Sequence, residues 1–135
     1  MKGLSPASGA VDRERLYREM VALCNRHWWF RVHYRCLSDL VEPYLDRGRF
    51  LLDVGCGPGG ASSQFPRGWE RVFVDLNFRV LDSYIRGPVL KVQGDAQLLP
   101  LGENVADVVV CSETLHQCSV KDVPAVVGEL VRVCR

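Results

Sequence analysis

The sequence has almost no net charge and no long apolar run, and these two absences exclude several classes of protein. Its 17 basic and 16 acidic residues nearly cancel, so no strong overall field attracts nucleic acid or an anionic membrane. No segment reaches the roughly 18 uncharged apolar residues that a membrane span requires. The opening MKGLSPASGA lacks the apolar stretch of a secretory signal. We therefore expect neither a nucleic-acid partner nor a membrane partner.

Closely spaced cysteine pairs are also absent. The six cysteines are Cys24, Cys36, Cys56, Cys111, Cys118 and Cys134. Their spacing excludes a zinc knuckle and a CxxC redox motif, and His27 and His33 have no partners at metal-ligand spacing, so no metal is expected. Most of these thiols lie in apolar stretches, where cysteine behaves as a small hydrophobe. A reducing cytoplasm is the predicted location.

What the chain does contain is enough apolar sequence for one domain with its own core. Residues 1–10 are small and polar and are predicted to be disordered. Residues 11–47 predict a helical arm, with one helix beginning at Asp12 and a second kinked or ended by Pro43. The apolar face of the second helix is expected to contain Leu37, Leu40, Val41, Tyr44 and Leu45. Residues 48–135 predict a separate sheet region.

Short apolar runs alternate with helical stretches in the sheet region. The runs predict buried strands at Phe50–Val54, Arg71–Asp75, Val89–Val92 and Asp107–Ser112. A helix is expected from Asn77, which can cap it, to Arg86, before Gly87. A closing helix is expected to have the apolar face Val123, Val126, Val127, Leu130, Val131 and Cys134. This alternation predicts an α/β fold, a parallel sheet covered by helices.

A glycine-rich segment, GCGPGG, follows the first predicted strand and is expected to open a helix. A glycine pattern between a strand and a helix is more specific for ligand binding than the pattern alone. Glycines in such a turn allow a sharp change of direction and a close approach of a ligand. Twenty residues after Gly55, Asp75 closes the next predicted strand, where an acidic side chain can bind ribose hydroxyls. The segment also satisfies the dinucleotide pattern GxGxxG, so the glycines alone do not select a cofactor.

Four segments, in this order, resemble the class I S-adenosylmethionine-dependent methyltransferases. They are LLDVGCGPG at 51–59, VFVD at 72–75, GDAQLLPL at 94–101 and ADVVVCSETLH at 106–116. The resemblance implies a Rossmann-like, doubly wound, mostly parallel sheet with strand order 3-2-1-4 after an N-terminal helical arm. The family's sheet has seven strands, so it also implies a chain truncated after the fourth. That strand would then be an edge open to self-association.

The resemblance implies S-adenosylmethionine as the cofactor and a role for each matching residue. Asp53 and the backbone N–H groups of the glycine turn would hold the methionine part, and Asp75 would accept both ribose hydroxyls. Leu76 would pack against the adenine, which Asp95 and the backbone N–H of Ala96 would bind by hydrogen bonds. The complete implied cofactor set is Asp53, Gly55, Cys56, Gly57, Asp75, Leu76, Asp95, Ala96 and Ser112.

The acceptor end of the implied site has fewer signals. Ser112, at the end of the fourth strand, stands where the family's backbone carbonyls meet the methionine end. His116 follows it and is a candidate general base, since histidine titrates near neutral pH; the alternative is an exposed turn histidine. Methyl transfer depends mostly on positioning, so a base is not required. Cys56 is expected to pack beside the cofactor, not to act as a nucleophile.

The segment HWWFR at residues 27–31 is the clearest signal outside the glycine turn. We expect its two Trp side chains and its Phe side chain to dock the helical arm onto the sheet, because large aromatic rings contribute most to the energy of burial. The segment also resembles an arm of family members that act on small or glycan-linked substrates, where it can cover the cofactor. In that interpretation Arg31 or Arg35 pairs with the cofactor carboxylate.

Three functions are compatible with this sequence. The leading hypothesis is a methyltransferase, or its cofactor-binding portion, acting on a small-molecule acceptor. The second is a non-catalytic module that binds a nucleoside cofactor or another chain. The third is a nicotinamide-dependent oxidoreductase. It is disfavoured because Asp53 stands where nicotinamide binders usually have an apolar residue, and because the 94–101 loop is not part of their pattern.

Overall fold

The computed structural model describes residues 13–24, 26–47, 49–59, 62, 65, 68–87 and 89–135. The disordered start predicted for residues 1–10 and the helix start predicted at Asp12 lie outside these residues. So does most of the segment after Gly59, where the sequence predicts a helix. The division of the chain between residues 47 and 48 stays a prediction.

The sheet has four parallel strands, β1 (Phe50–Val54), β2 (Glu70–Asp75), β3 (Leu90–Gln93) and β4 (Val108–Val110). Their spatial order is β3-β2-β1-β4, which confirms the predicted order. In the register, Leu51 of β1 stands opposite Arg71 of β2 and Val108 of β4. The strands begin and end within two residues of the predicted limits because buried strands appear in sequence as short continuous apolar runs.

Helices connect and flank the strands. They are α1 (Arg13–Cys24), α2 (Trp28–Val41), α3 (Phe78–Tyr84) and α4 (Val123–Val133), with short 3-10 helices at Glu42–Arg47 and Leu115–Gln117. The Asn77 side chain accepts a hydrogen bond from the backbone N–H of Arg79, 3.2 Å away, which confirms the predicted cap of α3. The second helix stops at Val41, and Pro43 falls in the 3-10 turn, as its missing N–H requires.

The two faces of the sheet carry separate cores, as alternation along each strand dictates. One core joins β1 and β2 to α4 and contains Leu52, Val54, Val72, Val74, Leu99, Ala106 and Val133. On the opposite face, α2 packs through Leu37 and Val41 against Leu51, Phe65 and Val110. Further along that face, α3 packs through Leu81, with Ile85, against Phe73 and Cys56. Helices on both faces make the sheet doubly wound.

The predicted helix faces are partly wrong. In the second helix, Leu37 and Val41 pack on the sheet while Leu40 is 71% exposed and Tyr44 is also exposed. The helix touches the sheet along one row of positions four apart, and the 3-10 turn after Val41 changes the direction of the following side chains. Leu45 lies outside the side chains that the structure describes. In α4, likewise, Val127 and Val131 are exposed.

An ion-pair network fixes the 94–101 loop onto α4. Arg132 pairs with Glu129 (2.7 Å) and donates to the carbonyls of Leu101 (2.9 Å) and Leu99 (3.2 Å). Glu129 in turn accepts from the backbone N–H of Leu99 at 2.7 Å. The hydrogen bonds from Arg132, together with the one from Leu99, lower the pKa of Glu129 to about 2. The loop that contains Asp95 is therefore held to the body of the fold.

Across the described residues, none of the helices combines the length and apolar character needed to span a membrane.

Candidate functional site

The carboxyl ends of the four parallel strands meet at one edge of the sheet, which is where open α/β sheets bind ligands. All nine residues predicted to contact the cofactor lie on these strand ends or just beyond them. They are Asp53, Gly55, Cys56 and Gly57 at β1, Asp75 and Leu76 at β2, Asp95 and Ala96 after β3, and Ser112 after β4. The fold thus brings the whole predicted set to one edge.

The glycine turn leaves β1 and folds back against β2. The backbone N–H groups of Gly55 and Cys56 donate to the carbonyl of Val74, at 2.8 and 3.2 Å. Gly55 and Gly57 have positive φ values of 69° and 51°, which side chains strongly disfavour. At Gly57, apart from its own chain neighbours, no atom of the described residues lies within 4 Å of the place where a Cβ would stand. The turn therefore presents bare backbone to an open space.

Asp75 organises the turn and the start of the next loop. Its Oδ2 accepts from the backbone N–H of Gly57 at 2.9 Å, and its Oδ1 accepts from that of Asn77 at 2.8 Å. Since an ionised carboxylate offers about four acceptor sites, two such bonds leave room for a ligand's hydroxyl groups. Next to Asp75, Leu76 is 65% exposed. Its apolar side chain is therefore accessible to a ligand's ring, as expected for a residue that packs against adenine.

Asp53 lies in the interior, with 1% of its surface exposed. Its Oδ2 accepts a hydrogen bond from the hydroxyl of Ser62, which is also fully buried. Burial raises the pKa of Asp53 to about 6, against the opposing effect of the Ser62 hydrogen bonds. The contact with Ser62 was not predicted from the sequence, and the expected contact of Asp53 with the methionine part of the cofactor stays a prediction.

Cys56 is a protonated thiol in a packed environment. It is buried against Phe73, Leu81 and Ile85. Burial raises its pKa, and the neighbouring Asp53 and Asp75 carboxylates raise it further. Because the thiolate is the nucleophilic form, this environment favours the packing role and opposes a nucleophilic one.

The 94–101 loop presents Asp95 at the surface. Its Oδ1 accepts from the backbone N–H of Gln97 at 2.9 Å, and its carbonyl accepts from Leu98 at 3.0 Å. Ala96 is partly buried against the α4 core, and Gly94 donates its N–H to the carbonyl of Asp75 at 3.1 Å. The last bond joins this loop to the end of β2, so both acidic side chains border the same edge.

His33 and Thr114, which were not predicted as site residues, contact the end of β4. His33 of α2 has its Nε2 2.8 Å from the Oγ of Ser112, and its ring stacks on Trp29 with a centroid distance of 4.9 Å and an interplanar angle of 5°. The Oγ1 of Thr114 lies 3.2 Å from the carbonyls of both Gly55 and Ser112. The only sequence signal for His33 is its position four residues after Trp29, and nothing in the sequence singles out Thr114.

His116 and the arm arginines lie in more open positions. The His116 side chain is 62% exposed, and its Nδ1 is 3.8 Å from Glu113. Arg35 pairs with Asp39 at 2.9 Å on the exposed side of α2, and Arg31 is exposed. Their roles toward an acceptor or cofactor stay predictions. Among the described residues, no three His, Cys, Asp or Glu side chains group at a metal-binding distance.

A family model described as "Methyltransferase domain" matches residues 52–135. No curated protein sequence matches the chain. The matched segment begins in β1, contains the glycine turn and ends after α4.

Several solved structures share this fold. A protein of Methanococcus maripaludis assigned as an S-adenosyl-L-methionine-dependent methyltransferase matches 98% of this chain and 64% of its own, with 17% identity and a TM-score of 0.72. A protein of Pyrococcus horikoshii matches 82% and 55%, with 24% identity and a TM-score of 0.67. The Burkholderia thailandensis 1,6-didemethyltoxoflavin-N1-methyltransferase, solved with S-adenosylhomocysteine, matches 99% and 63%, with 19% identity and a TM-score of 0.63.

At these identities the likeness establishes the fold, with a doubly wound sheet. The chain spans between 41% and 64% of the length of the solved structures compared with it.

Proposed function

The chain belongs to the methyltransferase domain family, and from that premise we propose that its glycine-turn edge binds S-adenosylmethionine for methyl transfer to a small-molecule acceptor. The observation that carries the proposal is the pairing of the glycine turn with Asp75. The backbone N–H of Gly57 is held 2.9 Å from the Asp75 carboxylate, so one acidic side chain fixes the turn and faces the edge where a nucleoside would lie.

The residues present fit this cofactor. The open space beside Gly57 admits a ligand against the backbone, and Leu76 offers an exposed apolar surface for a ring. Asp75 would hold the ribose, while Asp95 and Ala96 would hold the adenine. Asp53 and the turn would hold the methionine part, together with the backbone of Ser112. Carboxylates also attract the positive charge of a sulfonium group.

When bound, the cofactor supplies an electrophilic methyl group on a sulfonium sulfur. The chain's own contribution is to bind and orient, since an in-line displacement gains most from positioning. In our proposal His116 takes the proton of an O–H or N–H acceptor. Its exposed position beside Glu113 keeps it open to solvent and to a substrate that arrives from outside.

The first prediction concerns Asp75 and is measured by titration calorimetry with S-adenosylmethionine, S-adenosylhomocysteine and NADH. We expect the first two to bind and NADH not to bind. Asp75→Asn should weaken both affinities at least tenfold, because hydrogen bonds to a charged group contribute about 1.5–3 kcal/mol. The matched control is Asp82→Asn, an exposed aspartate on α3, which should leave both affinities unchanged.

Each alternative function has its own outcome in this titration. Selective NADH binding would favour a nicotinamide-dependent oxidoreductase. A folded chain that binds none of the three compounds would contradict the proposed function. Cofactor binding without methyl transfer would favour the non-catalytic module.

The proposal includes a cytoplasmic location. Five described cysteines, Cys36, Cys56, Cys111, Cys118 and Cys134, are free thiols. Free thiols are the rule in a reducing compartment, and the proposed cofactor site has one of them, Cys56, in its turn.

A further inference from the structure

The loop after β4 contains a backbone conformation that needs an explanation. Glu113 has a φ of 56°, a left-handed conformation that is uncommon for a residue with a side chain. The Gln117 side chain donates to the carbonyl of Glu113 at 2.9 Å, and the Gln117 backbone N–H donates to the carbonyl of Thr114 at 2.9 Å. The 3-10 helix Leu115–Gln117 thus holds the chain reversal in place. Conformations of this kind concentrate at functional sites.

The reversal directs Thr114 onto the glycine turn. A Cβ added to Gly55 would overlap the Thr114 side chain, so Thr114 fills the space that makes glycine necessary at this position. The Thr114 Oγ1 lies 3.2 Å from the carbonyl of Gly55, 3.2 Å from that of Ser112 and 3.4 Å from that of Val54. One hydroxyl therefore contacts the end of β1, the glycine turn and the end of β4.

We propose that Thr114 is a positioning residue, whose hydroxyl sets the orientation of the peptide groups in the glycine turn that receive S-adenosylmethionine. This inference rests on the proposed function. Asp75 restrains the turn from the β2 side through Gly57, and Thr114 restrains it from the β4 side through Gly55. A turn held from one side only would reorganise on binding, and the cost of that ordering would reduce affinity.

The experiment compares two variants that separate the hydroxyl from the shape of the side chain. Thr114→Val keeps the branched shape and removes the hydroxyl, while Thr114→Ser keeps the hydroxyl and removes the methyl group. In titrations with S-adenosylhomocysteine, we expect Thr114→Val to weaken binding at least tenfold and Thr114→Ser to stay within about threefold of wild type, since only the first removes the single hydroxyl proton that these carbonyls can accept. Thermal unfolding confirms that each variant is folded at the titration temperature.

The chain offers a second measurement that needs no variant. Thr114 is its only threonine, so a sample labelled with ¹³C at threonine methyl groups gives one assigned signal. Titration with S-adenosylhomocysteine should change the chemical shift of that signal. The dissociation constant obtained from this change should equal the one found by calorimetry.

Four outcomes contradict these expectations, and they are distinguishable. If wild type binds no cofactor, the proposed function fails and the inference fails with it. If wild type binds and Thr114→Val binds equally well, or both variants lose affinity alike, only the inference is overturned. A threonine signal that does not move at saturation also overturns it.

Discussion

At the scale of single residues, Asp53 lies in β1, the strand that leads into the glycine turn. Its carboxyl group is buried beside Ser62. Water is excluded from this position, so the charged form of the acid is disfavoured. Its pKa accordingly lies near 6 instead of 3.8. At neutral pH the fold therefore contains a buried negative charge that it would be more stable without.

This burial predicts a pH dependence of stability. The folded state retains the Asp53 proton to higher pH than the unfolded chain does, so the free energy of unfolding falls as the pH rises from about 4 through 6. At about 1.4 kcal/mol per pKa unit, the loss is roughly 3 kcal/mol. Urea unfolding of wild type and Asp53→Asn between pH 4 and 7.5 measures it, because the variant should lack this decline. Parallel pH profiles would contradict the prediction, and Asp82→Asn serves as the exposed control.

The residues of the site could be predicted from the sequence better than their contacts. Asp75 and the glycines could be placed because each follows a short apolar run, and strand ends of a parallel sheet share one edge. The partners of Asp53 and Ser112 could not be placed, because Ser62 and His33 meet them only through tertiary packing. His33 and Ser112, for instance, are 79 residues apart in the sequence.

Of the elements, α2 has two different attachments. Its carboxyl-terminal half packs on the sheet through Leu37 and Val41. Its amino-terminal half reaches the end of β4 through His33, whose ring is stacked on Trp29. The faces of this helix were the least accurate part of the sequence prediction, since apolar residues such as Leu40 lie on several sides and periodicity alone does not select one.

The docking of α2 on the end of β4 predicts different effects of two histidine substitutions on the hydrogen exchange of this helix. His33→Ala removes the bond to Ser112 and the stack on Trp29, so amide hydrogen exchange in the first two turns of α2 should accelerate about fivefold, as expected for about 1 kcal/mol. The control His116→Ala changes an exposed side chain and should leave α2 unchanged. Hydrogen exchange of both variants is measured by mass spectrometry. Equal exchange rates of α2 in the two variants would disprove the docking role of His33.

In the molecule as a whole, β4 lies at one edge of the sheet and pairs with β1. Within the part of the chain that the structure describes, no strand pairs with the outer side of Val108–Val110, and only Ala106, just before β4, forms an isolated parallel bridge with Cys134. Val108 to Val110 give this edge a short β-branched sequence, which is the type that recruits a further strand. We propose that two copies of the chain associate through it.

Sedimentation velocity over a range of concentrations tests this association. We expect a concentration-dependent dimer for wild type, since an apolar edge strand with open backbone groups recruits another strand. A wild-type chain that stays monomeric at every concentration would contradict the proposal.

The strand order also has a consequence for how the molecule reaches its native state. β1 pairs with β2 across a short stretch of chain, as in Phe50 with Glu70, whereas its pairing with β4 joins Leu51 to Val108 and closes a much longer loop. Longer loops cost more entropy to close, and distant pairings slow folding. We therefore expect β4 to join last. Thr114 follows β4 in the sequence, so its contact with the glycine turn would form in the same late step. Before that step, only the hydrogen bond from Gly57 to Asp75 would restrain the turn.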